Sequence, residues 1–398
     1  MRRSAIDIHR YPLELELLTP LHIGAGGPAL LFDYDVAWAH RLLWVIDTER
    51  AIEERLSLED IERGVEPRIS RLLRREEYRQ YARYTVGFGG ELAEQPRELL
   101  PLVRDVEEQP YLPGSSLKGA FRTALAWALF SGQLRQAGSE LARTTTGQAI
   151  LRELREPRLR REQFARRLEI ALFQSGERFD PNHDLLRALR PRDSATLDRN
   201  AAVAEQVGIY SLRNGRLVLR GPGNRWLVET LPQGTRLRLE LELDLGLFRS
   251  GEAGLPGERA GSLQLQGLLR ACREFARALA QAEARFFRQA GPPSLAQFYD
   301  ELLRRIEQAG LAEAYLQLGW GTGWTAKTVG LLLRGRPELA QIVQRLRLDR
   351  GRGSSPFPKT RRLVERGSRP LLPLGWVRIA LASRDDRGRD RSREGGSA

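Results

Sequence analysis

Residues 11–18 read YPLELELL and residues 235–245 read TRLRLELELDL. Both stretches alternate apolar and polar side chains, the pattern of a strand with one face on a core and the other toward water. Each is followed by helical patterns: after the first, a helix opens at Pro113-Gly114 and runs to about Phe130; after the second, helices span about 262 to 288 and FYDELLRRIEQ. The repetition predicts two α+β modules of similar plan, meeting near 232/233. At 398 residues the chain is long enough for both.

Between these anchors, Thr19-Pro20 ends the first strand and LHIGAGGPA (21–29) breaks regularity with three glycines. FDYDVAWA and RLLWVID read as strands, 48–80 as charged helix, and 81–110, with GFGG and several prolines, as loop. Residues 131–190 read as arginine-rich helices inserted into the module, after which short strands return in IYSLRN, GRLVLRG and RWLVET. The second half adds the segment LQLGWGTGWTAKTVG (316–330), a helix, the turn GRGSSPFPKT and a closing strand PLGWVRIALA. The expected organisation is an N-terminal module over 1–232 with helical insertions near 48–107 and 131–190, a C-terminal module over 233–383, and a charged, disordered tail over 384–398.

Composition excludes several classes. One cysteine, Cys272, rules out a disulfide framework and a multi-cysteine zinc site, and the four scattered histidines (His9, His22, His40, His183) do not complete one. No metal or cofactor is expected. No stretch approaches the roughly twenty apolar residues of a membrane span, and the N-terminus lacks the apolar run of a signal peptide. A cytoplasmic protein is expected. The formal charge of +13 makes a polyanion the first partner to consider, because a basic surface gains affinity by releasing counterions from a phosphate backbone. The competing reading is that arginine interspersed with glutamate, as in LRELREPRLRREQFARR, marks solvated helix faces.

Of the 64 lysines and arginines only three are lysine, and all three lie beside glycine, serine, threonine or proline. Lys118 is in GSSLKGA, Lys327 in GWGTGWTAKTVG and Lys359 in SSPFPKTRRLV. An ammonium is a compact point charge, whereas guanidinium is a wide fork, so a tight turn around a phosphate can prefer lysine. In the first segment Ser115 and Ser116 can cap a helix whose free N–H groups, with Lys118 and Arg122, would form a phosphate seat. The segment is not a Walker A loop, because Gly119 follows the lysine with no Ser or Thr to bind magnesium. In the second, Gly319, Gly321 and Gly323 let backbone approach a ligand while Trp320 and Trp324 offer faces for bases; Lys327 and Thr328 follow. In the third, Lys359 is joined by Arg361 and Arg362. A capped helix, core tryptophans and a solvated basic loop are the competing structural readings.

Catalytic readings are thinner. His22, beside Gly24, Gly26 and Gly27, could act as a general acid or base, yet no second titratable partner stands near it in sequence. Asp33 and Asp35 share a strand face and could in principle hold magnesium. No catalytic residue is assigned.

Five fragments in order, LTPLHIGAGG, YLPGSSLKGAFRTAL, LGWGTGWTAKTVG, FPKTRRLV and PLGWVRI, spread from residue 18 to 379, resemble the RAMP superfamily of CRISPR proteins. The last three resemble the Csm subunit that caps the crRNA 3′ end in type III-A effector complexes. The resemblance implies two ferredoxin-like, RRM-type modules that bind crRNA through Gly-rich loops and helix ends rather than through aromatic sheet faces. The RNA-binding positions it implies here are His22, Gly24, Gly26, Gly27, Ser115, Ser116, Lys118, Arg122, Trp320, Gly321, Gly323, Trp324, Lys327, Thr328, Lys359, Arg361 and Arg362. It further implies a non-catalytic subunit whose partners are crRNA, the backbone RAMP subunit and the small helical subunit, with host ribonucleases recruited to trim the 3′ end. The alternatives are a RAMP-superfamily endoribonuclease that cuts precursor crRNA and an equivalent subunit of a type III-B complex.

Overall fold

The computed structural model describes residues 7–88, 90–93, 96–174, 180–221, 223–249, 260–350 and 357–382. The two alternating stretches are strands, β1 (Ile8–Leu17) and β11 (Arg236–Asp244), and they pair with each other. Their antiparallel register runs from Ile8↔Asp244 to Glu16↔Arg236 and sets Leu13 opposite Leu239 and Leu15 opposite Leu237 on one face. A period of two, matched on both partners, puts every leucine inward at once.

Around this pair lies a five-stranded antiparallel sheet that adds β7 (Leu189–Pro191), β12 (Glu313–Gln317) and β15 (Trp376–Leu381), in the order β12-β15-β1-β11-β7. Two long helices, Gly114–Gln136 and Leu265–Ala290, supply Leu117, Phe121, Leu125, Leu268, Leu269 and Phe275 to the core beneath it. The opposite face carries cross-strand ion pairs: Glu14 with Arg236 at 3.5 Å, Glu16 with Arg378 at 3.5 Å, and Glu242 with Arg10 at 3.1 Å and Arg192 at 2.9 Å.

The second sheet is built from β2 (Leu30–Leu31), β3 (Val36–Ala39), β4 (Leu42–Ile46), β5 (Ala82–Phe88), β6 (Glu98–Leu100), β8 (Val203–Arg213), β9 (Arg216–Leu219), β10 (Arg225–Thr230), β13 (Thr360–Arg366) and β14 (Arg369–Leu372). Its main path is β2-β6-β10-β8-β5-β4-β3, with β9 and β13 also on β8, and β14 on β13. The β6–β10 and β5–β8 pairs are parallel; the rest are antiparallel.

Three expectations change. The sheets do not divide at 232/233: β1 pairs with β11 and β15, and β8 with β13, so each sheet takes strands from both sides of that position. Residues 81–110 hold β5 and β6 rather than only loop, the run ARYTVGF having been masked by the glycines after it. The helix expected to end near Phe130 continues to Gln136. The tail over 384–398 lies outside the described residues.

Antiparallel pairing has one consequence for function. The end of β1 lies beside the start of β11 and the start of β15, and the end of β12 lies beside the start of β15. The chain leaving β1, entering β11, leaving β12 and entering β15 therefore meets at one end of the sheet.

Leu15 is fully buried between Leu237 and Ile379. Leu15→Ala is expected to cost about 2–5 kcal/mol of stability through lost burial and a cavity, read by urea denaturation.

Candidate nucleic-acid interface

The helix Gly114–Gln136 begins after Pro113, and no serine side chain caps it. Gly114 N–H donates instead to Asp193 Oδ1 at 2.7 Å. A β-carbon at 114 would stand 2.2 Å from Pro191 O, so only glycine lets the helix start this close to the strand end. The expected hydroxyl caps are thus replaced by a carboxylate from a distant segment, which sequence spacing could not reveal. Ser115 is exposed, Ser116 half-buried. Arg122 is committed to Asp184 at 2.9 Å and Glu169 at 3.3 Å, with its guanidinium 4.7 Å over Phe173. Lys118 has no ion-pair partner among the described residues; burial holds its pKa below the usual ammonium value, Arg122 and Arg190 add to this, and Asp184 opposes it. Of the four groups expected to converge here, Lys118 is the free cation.

His22 is buried. Its Nδ1–H donates to Glu229 O at 2.6 Å, its ring meets Trp320 edge-on at 5.6 Å, and its carbonyl accepts from Trp320 N at 2.9 Å. Burial lowers its pKa, the bond to Glu229 opposing. A neutral, enclosed ring held on both sides is a structural tie, and the expected RNA contact at His22 is replaced by that role. Beyond it Gly24, Gly26 and Gly27 are exposed, Gly26 at φ 78°. Gly319 adopts φ 87°, and a β-carbon there would lie 2.6 Å from His22 O. The two Gly-rich loops, about 300 residues apart in sequence, are therefore packed against each other.

Trp320 packs on Trp226 at 6.0 Å beside Val207, Val228, Val364 and Leu374. Trp324 meets Phe357 edge-on at 5.0 Å and lies over Gly330, where a β-carbon would be 1.8 Å from its ring. Both rings are anchored in protein contacts. Thr328 Oγ1 donates to Trp324 O at 3.0 Å and accepts from Gly330 N at 3.2 Å, closing the turn. Arg361 is bound to Glu283 by both Nε and Nη2 and lies 4.1 Å over Phe286, so its charge is already compensated. Arg362 differs. Its guanidinium sits 5.0 Å over Trp320 and 6.0 Å over Trp226, and its buried Nε has no hydrogen-bond partner. Burial and then Arg350 push its pKa down. Lys327, also lowered by burial and by Arg362, is exposed nearby.

Trp324, Arg361 and Arg362 border a cleft of about 440 Å³. Gly321, Thr322, Gly323 and Trp324 form one side; Phe357, Pro358 and Lys359 to Arg362 form another. Arg161, Arg213, Arg220 and Arg350 also line it, against a single carboxylate, Asp349. Those four arginines were not singled out in the sequence, where nothing separates them from 57 others. The second and third Gly/Lys segments thus meet in one basic cleft. The Lys118 turn does not line it.

Among the described residues no group of three or more His, Cys, Asp or Glu could hold a metal ion, which leaves Asp33 and Asp35 without a third ligand. Asp33 accepts from Ser70 N and Oγ at 2.9 Å, and Asp35 from Leu31 N at 2.7 Å. No helix among the described residues is long and apolar enough to cross a membrane.

The RAMP superfamily model matches residues 14–326, and the chain belongs to that superfamily. The fold is similar to a chain in the cryo-EM structure of a Csm–crRNA–target RNA ternary complex of a type III-A CRISPR-Cas system. The two share 24% identity over 93% of this chain and 100% of that one, with a TM-score of 0.70. It is also similar to the crystal structure of T. onnurineus Csm5, at 23% identity, 92% and 99% coverage and a TM-score of 0.64. Among proteins of curated function, none matches the sequence.

The depressed pKa of His22 sets a pH dependence. The unfolded chain takes up its imidazole proton near pH 6.5 while the folded one resists, so this contribution to stability is complete above that pH and declines below it. Between pH 7 and 5, the fall in unfolding free energy should be shallower in His22→Asn than in the wild type, measured by denaturant titration at each pH.

Proposed function

We propose that the protein is a non-catalytic crRNA-binding subunit of a type III-A CRISPR effector complex, capping the complex at the crRNA 3′ end and supporting 3′ maturation in antiviral defence. Its partners on this reading are crRNA and the backbone and small helical subunits of the Csm complex, with trimming left to recruited host ribonucleases in the cytoplasm. The observation that carries it is the set of cleft cations beside the GWGTGW loop, Arg350, Lys359 and Arg362, none of which has a carboxylate partner among the described residues. In a chain where arginine is elsewhere repeatedly paired with glutamate, uncompensated charge in a cleft is what a phosphate backbone would neutralise. Lys118 adds a further free cation, outside the cleft, at a helix start.

The strand order β15-β1-β11-β7 with two helices on one face supports a ferredoxin-like module for the first sheet, the ten-stranded sheet being the second module. Its outer face is occupied by Arg–Glu pairs, which favours binding through loops over binding through the sheet. The endoribonuclease alternative needs an acid or base at the RNA, and the enclosure of His22 disfavours it.

Two outcomes test the reading. The isolated protein should bind single-stranded RNA without strong sequence preference, with a log–log salt slope that rises by roughly 0.7 per neutralised phosphate, and should cut repeat RNA neither with magnesium nor with EDTA. Lys118→Ala should retain its fold, because Asp193 rather than Lys118 caps the helix, while RNA affinity falls about ten- to hundredfold. Salt-independent binding, or cleavage that vanishes in His22→Ala, would overturn the assignment.

A further inference from the structure

The helical insertion over 131–190 is fastened to helix Pro337–Arg345 and its flanks by arginines that donate to backbone carbonyls. Arg345 reaches Leu154 O and Glu156 O, and Arg336 reaches Ser139 O at 2.9 Å. In the reverse direction Arg161, at the start of helix Arg161–Phe173, donates through Nε and Nη2 to Leu346 O at 3.3 and 3.1 Å. A carbonyl accepts a hydrogen bond without cancelling charge, so Arg161 is ordered and remains a full cation at the cleft wall.

The turn it holds is strained. Arg347 and Arg350 adopt φ 48° and φ 60°, a region that residues with a β-carbon occupy uncommonly and keep only where surroundings impose it. Arg161 grips the carbonyl immediately before this turn, and Arg350 at its far end lines the same cleft. Arg213, at the tip of β8, lines it from the opposite strand pair. Arg161, Arg213, Arg350 and Arg362 come from four separate segments, and none has a carboxylate partner among the described residues.

We propose that the insertion forms one wall of a phosphodiester-binding cleft, in which Arg161 contacts the backbone of a single-stranded RNA together with Arg213, Arg350 and Arg362. The inference rests on the RNA-binding reading above and adds a residue from the helical insertion. The volume admits a nucleotide rather than a duplex, and the aromatic border of Trp324 and Phe357 suits unstacked bases. Arg161 has a second role as a positioning residue for Arg350.

The test is fluorescence-anisotropy titration of a labelled oligouridylate against the full-length protein at several salt concentrations. Arg161→Gln should bind about tenfold more weakly, with the log–log salt slope smaller by about 0.7 and a melting temperature close to the wild type. Arg288→Gln, in an exposed pair with Asp300 on helix Leu265–Ala290, should bind as the wild type does. Wild-type affinity and slope in Arg161→Gln would overturn the inference while leaving the RNA-binding reading intact. Weaker binding with an unchanged slope and a lowered melting temperature would also overturn it, showing a purely structural arginine. Failure of the wild type to bind would remove both. If Arg161→Gln does not fold, crosslinking of a 4-thiouridine oligonucleotide to the wild type decides. Crosslinks at 161 or 347–350 together with 320–324 support the cleft; crosslinks confined to 22–27 and 111–122 overturn it.

Discussion

The pairing of β1 with β11 joins residues 8–16 to residues 236–244 in one continuous register. The cost of closing so long a loop grows only logarithmically with its length, whereas the leucine rows of both strands are buried together. Once that register is set, the chain between the two strands leaves as one long excursion that holds both insertions and most of the second sheet; β7 returns from it to the first sheet, and β13 and β14 join the second sheet from beyond β11. Leu17 N–H on Thr235 O and the bridge between Leu21 and Leu231 extend the zipper past the strand ends. That extension carries the chain to His22, whose bonds to Glu229 and Trp320 tie together the loops gathered there. The gathering of these loops is thus a consequence of strand register: a slip of one residue would turn every leucine outward and separate the loops as well.

Arginine serves two purposes that composition cannot separate. One set is structural. Glu229 is fully buried and takes Arg104 at 3.1 Å, Tyr84 Oη at 2.9 Å and Leu102 N–H at 3.0 Å. Glu365 takes Arg225 at 2.8 Å and Gln206 at 2.9 Å, with Tyr210 beside them, and Glu283 takes Arg361. Burying such pairs repays its desolvation cost only when each lone pair is used, and here several donors converge on each carboxylate. Removing one partner leaves a buried charge, so these residues are expected to be intolerant of change for reasons unrelated to RNA. The other set, around Arg362, has cations without carboxylates, and only the folded arrangement distinguishes the two.

Legibility followed range. The strands 11–18 and 235–245, the helix after Pro113 and the Gly/Trp loop were readable because alternation, periodicity and turn residues are local properties. That the two alternating strands are neighbours rather than the openings of separate modules was not readable, since similar patterns carry no information about pairing. At the candidate site, the lysines stood out by their rarity, and of the three Lys359 lines the cleft. Arg122 and Arg361, equally prominent in sequence, proved to be bound to Asp184 and Glu283 far along the chain. Asp193 as the cap at Gly114 and Arg161 as a cleft residue depend on contacts between segments 79 and 185 residues apart. No spacing rule reaches that far.

The position of Arg362 explains why charge accumulates where the fold gains nothing from it. A guanidinium on two tryptophan faces keeps a favourable cation–π contact and shields its stem, yet its Nε is left without a partner and Arg350 repels it. A nearby glutamate would relieve both penalties, and the chain has 51 acidic residues from which to supply one. With Asp349 as the single carboxylate among its described lining residues, the cleft stays positive. A carboxylate there would compete directly with a phosphate for the same donors, so the electrostatic cost borne by the free protein is the same quantity that a polyanion recovers on binding. The left-handed turn at Arg347 and Arg350 fits this logic, because strain persists where surrounding contacts, here those of Arg161, impose it. The cleft therefore combines favourable contacts, those of Arg362 on the tryptophans and of Arg161 on Leu346 O, with uncompensated charge and a strained turn, all held in place by the sheet register that brings their segments together.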